Sequence, residues 1–200
     1  MEILYSDRDL AVCVKPVGLD SEAEVPMALQ TALGGESFPL HRLDKNVGGV
    51  MVYARPKTAA AALSKAIQNG EMVKEYVAKV HGNPPAEGIL TDLLFKDSRK
   101  NKVFVVKKAR AGVKEAKLQY RHLGDGLGHV RLFTGRSHQI RVQFSSRGFP
   151  LVGDHKYGSR AAQTAPMLFS CRITFPYKGK VCRYCALPQW AEGITLEEWT

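Results

Sequence analysis

Three short stretches hold residues whose types and spacing suit chemistry. In HRLD, Arg42 and Asp44 sit two residues apart, just before the apolar run GGVMVYA. Polar groups crowded against a buried strand are expensive unless paired, so this cluster is either a salt-bridged scaffold or a working site. As a working site, Asp44 offers a carboxylate that can act as nucleophile or base, and a guanidinium, from Arg42 or another arginine, favours its ionised form. In KEYVAKVHG, Tyr76 offers a ring that can stack on a base and a hydroxyl for proton chemistry, although strands also use tyrosine for plain packing. In TGRSHQIRVQF, a helix beginning near Ser137 puts His138 and Arg141 on one face and turns Ile140 and Phe144 to the core. Arg136 then precedes the first turn, where a helix N-terminus attracts phosphate; a solvated basic face is the alternative.

The elements that must position these residues follow from periodicity and turn chemistry. ILYSDRDLAVCVKPVG reads as two strands around the SDRD turn, and PMALQTALGG as a short helix closed by glycine. GGVMVYA reads as a buried strand. PKTAAAALSKAIQNG reads as a helix, with Pro56 in its first turn and Gly70 at its C-terminal cap. EYVAKV, KVFVV, EAKLQYRHL and HVRLFTG carry strand patterns broken by GNPP, a basic loop and GDGLG. SHQIRVQFSSRG gives a second main helix, with Ser137 as N-cap and Gly148 as C-cap, and MLFSCRITF and KVCRYCAL return to strands across PYKG. The pattern predicts one α+β domain over residues 1–200, with a central mixed, mainly antiparallel sheet flanked by helices and loops.

Composition narrows the class. The chain has 200 residues, 44% hydrophobic and 24% charged, which allows a sizeable core. Neither a signal peptide nor an apolar run long enough for a membrane span is present, so a cytoplasmic protein with no membrane partner is expected. Lysine and arginine total 29 against 19 acids, a formal net charge of +10, which favours a polyanionic partner such as nucleic acid. Cys182 and Cys185, in CRYC, have the spacing of half a zinc site, but Cys13 and Cys171 form no second close pair; reduced thiols in a hairpin fit better. There is no G-x-G-x-x-G after a strand and no P-loop, which argues against a dinucleotide- or nucleotide-dependent enzyme.

Taken in order, HRLD, KEYVAKVHG and TGRSHQIR, followed by FPLVGDHKYG, resemble the RluA-type family of RNA pseudouridine synthases. The resemblance runs from KPVGL near the start to LFSCRITFP near the end. It implies that Asp44 is the essential aspartate, Tyr76 the active-site tyrosine and Arg141 the arginine that pairs with the aspartate. It also gives Arg42 the task of helping to fill the place left by a flipped nucleotide. No cofactor and no metal are implied, the partner is RNA (ribosomal or transfer), and a monomer is expected. Three positions depart from the family pattern: Val47 and Gly48 stand where Thr and Ser are usual, and Gln143 where His is usual. A basic N-terminal RNA-binding module, found on many relatives, is not expected here, so the catalytic domain itself must hold RNA.

The stretch KDSRKNKVFVVKKAR contains seven lysines and arginines with Phe104 between two groups of them. It suits a phosphate-tracking hairpin, with Lys100, Lys102, Lys107 and Lys108 as RNA contacts beside Arg136 and His138; a solvated hairpin is the plainer reading. Two rivals share these features. A non-catalytic RNA-binding module uses the charge without chemistry, and a hydrolase directs water at the glycosidic bond.

Overall fold

GGVMVYA forms strand β4 (Gly48–Ala54), and all seven of its residues are buried. A strand covered on both faces needs a continuous apolar run in place of alternation, and this one has it. In the computed structural model, which describes residues 1–199, the surrounding elements give an α+β fold with a mixed, mainly antiparallel sheet. The chain forms two compact units: residues 1–74 with 172–186, and residues 75–171 with the segment from Leu187.

The first unit contains β1 (Glu2–Ser6), β2 (Leu10–Lys15), α1 (Glu24–Leu33), the two-residue β3 (Phe38–Pro39), β4 and α2 (Lys57–Gln68). Its strands run in the order β1, β2, β4 and then β10 (Leu168–Tyr177), whose residues from Arg172 belong here; β11 (Lys180–Cys185) pairs with β10. Helix α1 begins at Glu24, so Pro26 lies in its first turn, where a missing N–H removes no helical bond. Pro56, expected in the first turn of α2, instead stands one residue earlier as its N-cap in extended conformation, and Gly70, at φ +74°, follows the helix end, as expected for the C-terminal glycine. Val12, Val50, Val52, Leu63, Ile173 and Phe175 form the centre of this unit's core, each fully buried.

The second unit contains β5 (Val73–Lys79) from Glu75 onward, β6 (Glu87–Asp97), β7 (Lys102–Val106), β8 (Val113–Gly124), β9 (Leu127–Leu132) and α3 (Gln139–Ser145). Its strands follow the order β10, β5, β9, β8, β6, β7. Strand β6 is absent from the expected elements; ILTDLLF is rich in leucine, which is not β-branched, and its burial does not alternate cleanly. The β8–β9 turn uses Asp125 and Gly126, both at positive φ, the geometry that suits a tight hairpin. Gly126 is required there because a Cβ would lie 2.4 Å from the Val80 carbonyl oxygen.

Helix α3 corrects one expectation. Its N-cap is His138, in left-handed conformation at φ 50° and ψ 22°, and Ser137 lies outside the helix. The turn before α3 is closed by Gln139, whose side-chain oxygen accepts the Arg136 N–H at 3.0 Å. Among the described residues no helix is long and apolar enough to cross a membrane, and no cluster of His, Cys, Asp and Glu is arranged to hold a metal.

Candidate active site

In the first unit the HRLD loop is pinned from behind. Ser21 Oγ donates to the Leu43 carbonyl at 3.1 Å and accepts the Leu43 N–H at 3.3 Å, which seats Leu43 in the core. Lys15 lies at the end of β2 with no exposed surface. Its ammonium donates to the carbonyls of Pro16 at 3.0 Å, Leu19 at 2.9 Å and Lys45 at 3.3 Å, so it ties the strand end to the residue after Asp44. Burial pushes Lys15 down to about 8, opposed by the negative charges of Asp20 and Asp44. Asp44 itself is partly buried, and its carbonyl accepts the Val47 N–H at 2.9 Å. His41 accepts the Val52 N–H at Nε2, 3.2 Å, and burial pushes it down to about 3, with the Lys74 charge a smaller cause. It is therefore a neutral ring carrying its proton on Nδ1. Arg42 is exposed, and its ion pair with Glu22, 3.4 Å between side chains that are each more than half exposed, restrains it weakly.

In the second unit Tyr76 is buried in the middle of β5, with 6% exposure. Its neighbour Glu75 points to the opposite face, where its carboxylate bonds His129 Nε2 at 2.7 Å and accepts Trp199 Nε1–H at 3.0 Å. These two bonds fix the strand whose other face carries Tyr76. Residues Gln139 to Phe144 of α3 are all buried. Arg141 Nε donates to Asp154 Oδ2 at 2.6 Å and Arg141 Nη2 to Oδ1 at 2.8 Å, a bidentate pair with both partners shielded from water. The guanidinium also lies 5.2 Å from the Tyr157 ring centroid. The Tyr157 hydroxyl accepts the Val103 N–H at 2.8 Å and bonds His138 Nδ1 at 2.9 Å, and Lys102 Nζ lies 5.4 Å from the same ring.

Arg141, His138 and Lys102 therefore converge on Tyr157. Arg136 joins the same neighbourhood through Gln139, while its Nε donates to the Glu115 carbonyl at 2.8 Å. Lys100, Lys107 and Lys108 are exposed, Lys100 in the turn before β7 and the other two beyond its far end, so they do not form one cluster. Asp44 and Arg42 belong to the first unit, and the other candidates to the second.

Lys15, Gln139, Asp154 and Tyr157 are among the residues of these networks that have no role in the sequence reading. A lysine closing the apolar strand AVCVK is a signal for Lys15, and GDHKYG behind the arginine helix is one for Asp154 and Tyr157. Nothing in spacing marks Gln139. The departures from the family pattern serve packing. Val47 is 2% exposed, Gly48 opens β4, and the Gln143 side chain is fully buried. Gln143 Nε2 donates to Asp92 Oδ2 at 2.7 Å, to the Leu90 carbonyl at 3.2 Å and, more distantly, to the Ala116 carbonyl at 3.4 Å, fastening α3 to β6 and β8.

Known proteins share both the sequence and the fold. Residues 9–146 match the model of the RNA pseudouridylate synthase family. The dual-specificity RNA pseudouridine synthase RluA of Escherichia coli K12 is 36% identical over 183 residues, covering 83% of this chain and 81% of that protein. The ribosomal large subunit pseudouridine synthase D of Yersinia pestis is 34% identical over 176 residues, covering 80% of this chain; the chain spans 53% of that relative's length. Among solved structures, human RNA pseudouridylate synthase domain containing 4 superposes with a TM-score of 0.77 at 26% identity, over 94% of this chain and 89% of that one. Human RNA pseudouridylate synthase domain containing 1 shares the fold with a TM-score of 0.81 at 22% identity, over 94% of this chain and 83% of that one. With HRLD, KEYVAKVHG and TGRSHQIRVQF all inside the matched region, the chain belongs to the RluA-type family of RNA pseudouridine synthases.

Proposed function

We propose that this protein isomerises uridine to pseudouridine in ribosomal or transfer RNA. The observation that carries the reading is the family match over residues 9–146, a range that includes Asp44, Tyr76 and Arg141. In the reaction the bond from ribose C1′ to uracil N1 breaks, the base turns, C1′ bonds C5, and the C5 proton leaves while N1 takes up a proton, so that the product is an isomer of the substrate. The target uridine must leave its stack to be reached, at a cost of a few kcal/mol that is smaller in loops. Asp44 is assigned the role of nucleophile or base, and Arg141 that of holding its carboxylate. Tyr76 is assigned stacking on the detached uracil and help with proton removal from C5.

Two features of the chain support these assignments. Burying the Arg141 guanidinium is costly, and the bidentate pair with Asp154 under the Tyr157 ring offsets that cost while fixing its direction. Pinning of the HRLD loop by Lys15 and Ser21 likewise limits where Asp44 can point, the kind of support a reacting carboxylate needs. Arg42 and the basic hairpin residues are assigned to RNA.

The test is tritium release from RNA labelled at uridine C5, together with mapping of pseudouridine in cellular RNA, for wild type and Asp44→Asn. Asp44→Asn is expected to lower the rate at least about a thousandfold with RNA binding kept. Unchanged function in Asp44→Asn favours a binding-only module, and free uracil among the products favours a hydrolase.

A further inference from the structure

Phe133, just past the end of β9, is 47% exposed. A lone exposed ring is ordinary; its surroundings here are not. Lys117 Nζ on β8 lies 5.3 Å from the ring centroid and the Arg131 guanidinium on β9 lies 5.4 Å from it. Arg136, three residues on, is exposed, and its Nε bond to the Glu115 carbonyl directs it back along β8. None of the three cations has a carboxylate partner among the described residues.

The patch is rigidly mounted. The Phe133 and Thr134 N–H groups donate to the Lys117 carbonyl at 3.1 and 3.2 Å, and the Lys117 N–H donates to Thr134 Oγ1 at 2.8 Å. Thr134 Oγ1 donates in turn to Gln139 Oε1 at 2.8 Å, and Gln139 Nε2 donates to the Lys117 carbonyl at 3.1 Å. Gln139 is buried and opens α3, two residues before Arg141. The ring and its cations are thus bonded to the helix that presents the candidate catalytic arginine.

We infer that Phe133, with Lys117, Arg131 and Arg136, is a stacking platform for one unpaired nucleotide of the RNA substrate, its base on the ring and its phosphates on the cations. The inference deepens the proposed function and rests on it for the identity of the substrate. Any base has a face to stack, so the platform adds affinity without reading sequence, and neighbouring cations strengthen both interactions. An acidic peptide would satisfy the charges but leave the ring face unused.

The experiment measures fluorescence anisotropy of a labelled oligouridylate of about 20 nucleotides, long enough to reach beyond the platform. An RNA duplex of equal length and a poly-glutamate peptide serve as comparison probes. Phe133→Leu is expected to weaken oligouridylate binding about tenfold with an unchanged salt slope, while Phe133→Trp keeps it and duplex binding moves little. Lys117→Gln with Arg131→Gln is expected to reduce the magnitude of the slope of log affinity against log salt by about 1.4. Phe133→Leu binding as wild type, equal losses on single strand and duplex, an unchanged slope in the double variant, or Phe133-dependent binding of poly-glutamate would each overturn the platform. Binding is read without turnover, which separates the two readings. Phe133-dependent binding by a wild type that forms no pseudouridine overturns the synthase reading alone, and normal turnover with Phe133-independent binding overturns the platform alone.

Discussion

Lys15 keeps an ammonium out of water next to the loop that carries Asp44, and its titration therefore bears on both stability and activity. Its folded value of about 8 lies below the ordinary 10.5. Between those values the unfolded chain binds more protons than the folded one, so this group's contribution to stability rises as pH rises from about 8 to 10.5. Activity should move the other way, because the positive charge felt by Asp44 disappears. The expected profile of kcat/KM falls above a pH of about 8, and Lys15→Met gives a lower rate without that limb. A wild-type profile flat to a pH of about 9.5 would remove Lys15 from this role. At this scale the sequence marks Asp44, Tyr76 and Arg141 through motifs in fixed order. Its one trace of Asp154 and Tyr157 as supports is GDHKYG behind the helix, because their bonds appear only in the fold: Tyr157 bonds Val103 across 54 residues.

Helices α1 and α2, strand β4 and the tight turns were legible because each rests on local chemistry: an apolar run, a proline at the start of a helix, a glycine at positive φ. Strand β6 was not, since its two neighbours β7 and β8 define it and its own residues do not alternate. The start of α3 shifted from Ser137 to His138 because Gln139 ties the preceding turn with its side chain, a bond no N-cap preference describes. The same helix depends on Gln143 for its attachment. Gln143→Ala removes a buried donor serving Asp92 and two strand carbonyls, at an expected cost of about 1–3 kcal/mol. For a chain of this size the melting temperature should fall by about 3–10 °C, measured by calorimetry. An unchanged melting temperature would mean that α3 is held by its apolar face alone.

Over the whole molecule the charge of +10 is the feature most visible in the sequence, and it predicts a salt-sensitive affinity for RNA. Neutralising Lys100, Lys102, Lys107 and Lys108 together should reduce the magnitude of the salt slope by at most about 3, near 0.7 for each phosphate of a single strand that is no longer neutralised. A slope equal to wild type would assign those lysines to solvent and shift the RNA footprint elsewhere. The two-unit arrangement was not legible, because it depends on pairing between segments that sequence periodicity cannot join. That arrangement also bears on biosynthesis. When the ribosome has delivered residues 1–74, the first unit still lacks β10 from Arg172 onward and its mate β11, and the second unit later waits for the segment from Leu187. At about 5–20 residues per second, β4 spends about 5–20 s as an apolar strand with one neighbour missing. During that interval the nascent chain presents a sticky edge, which makes it a natural client for chaperones that bind extended hydrophobic segments.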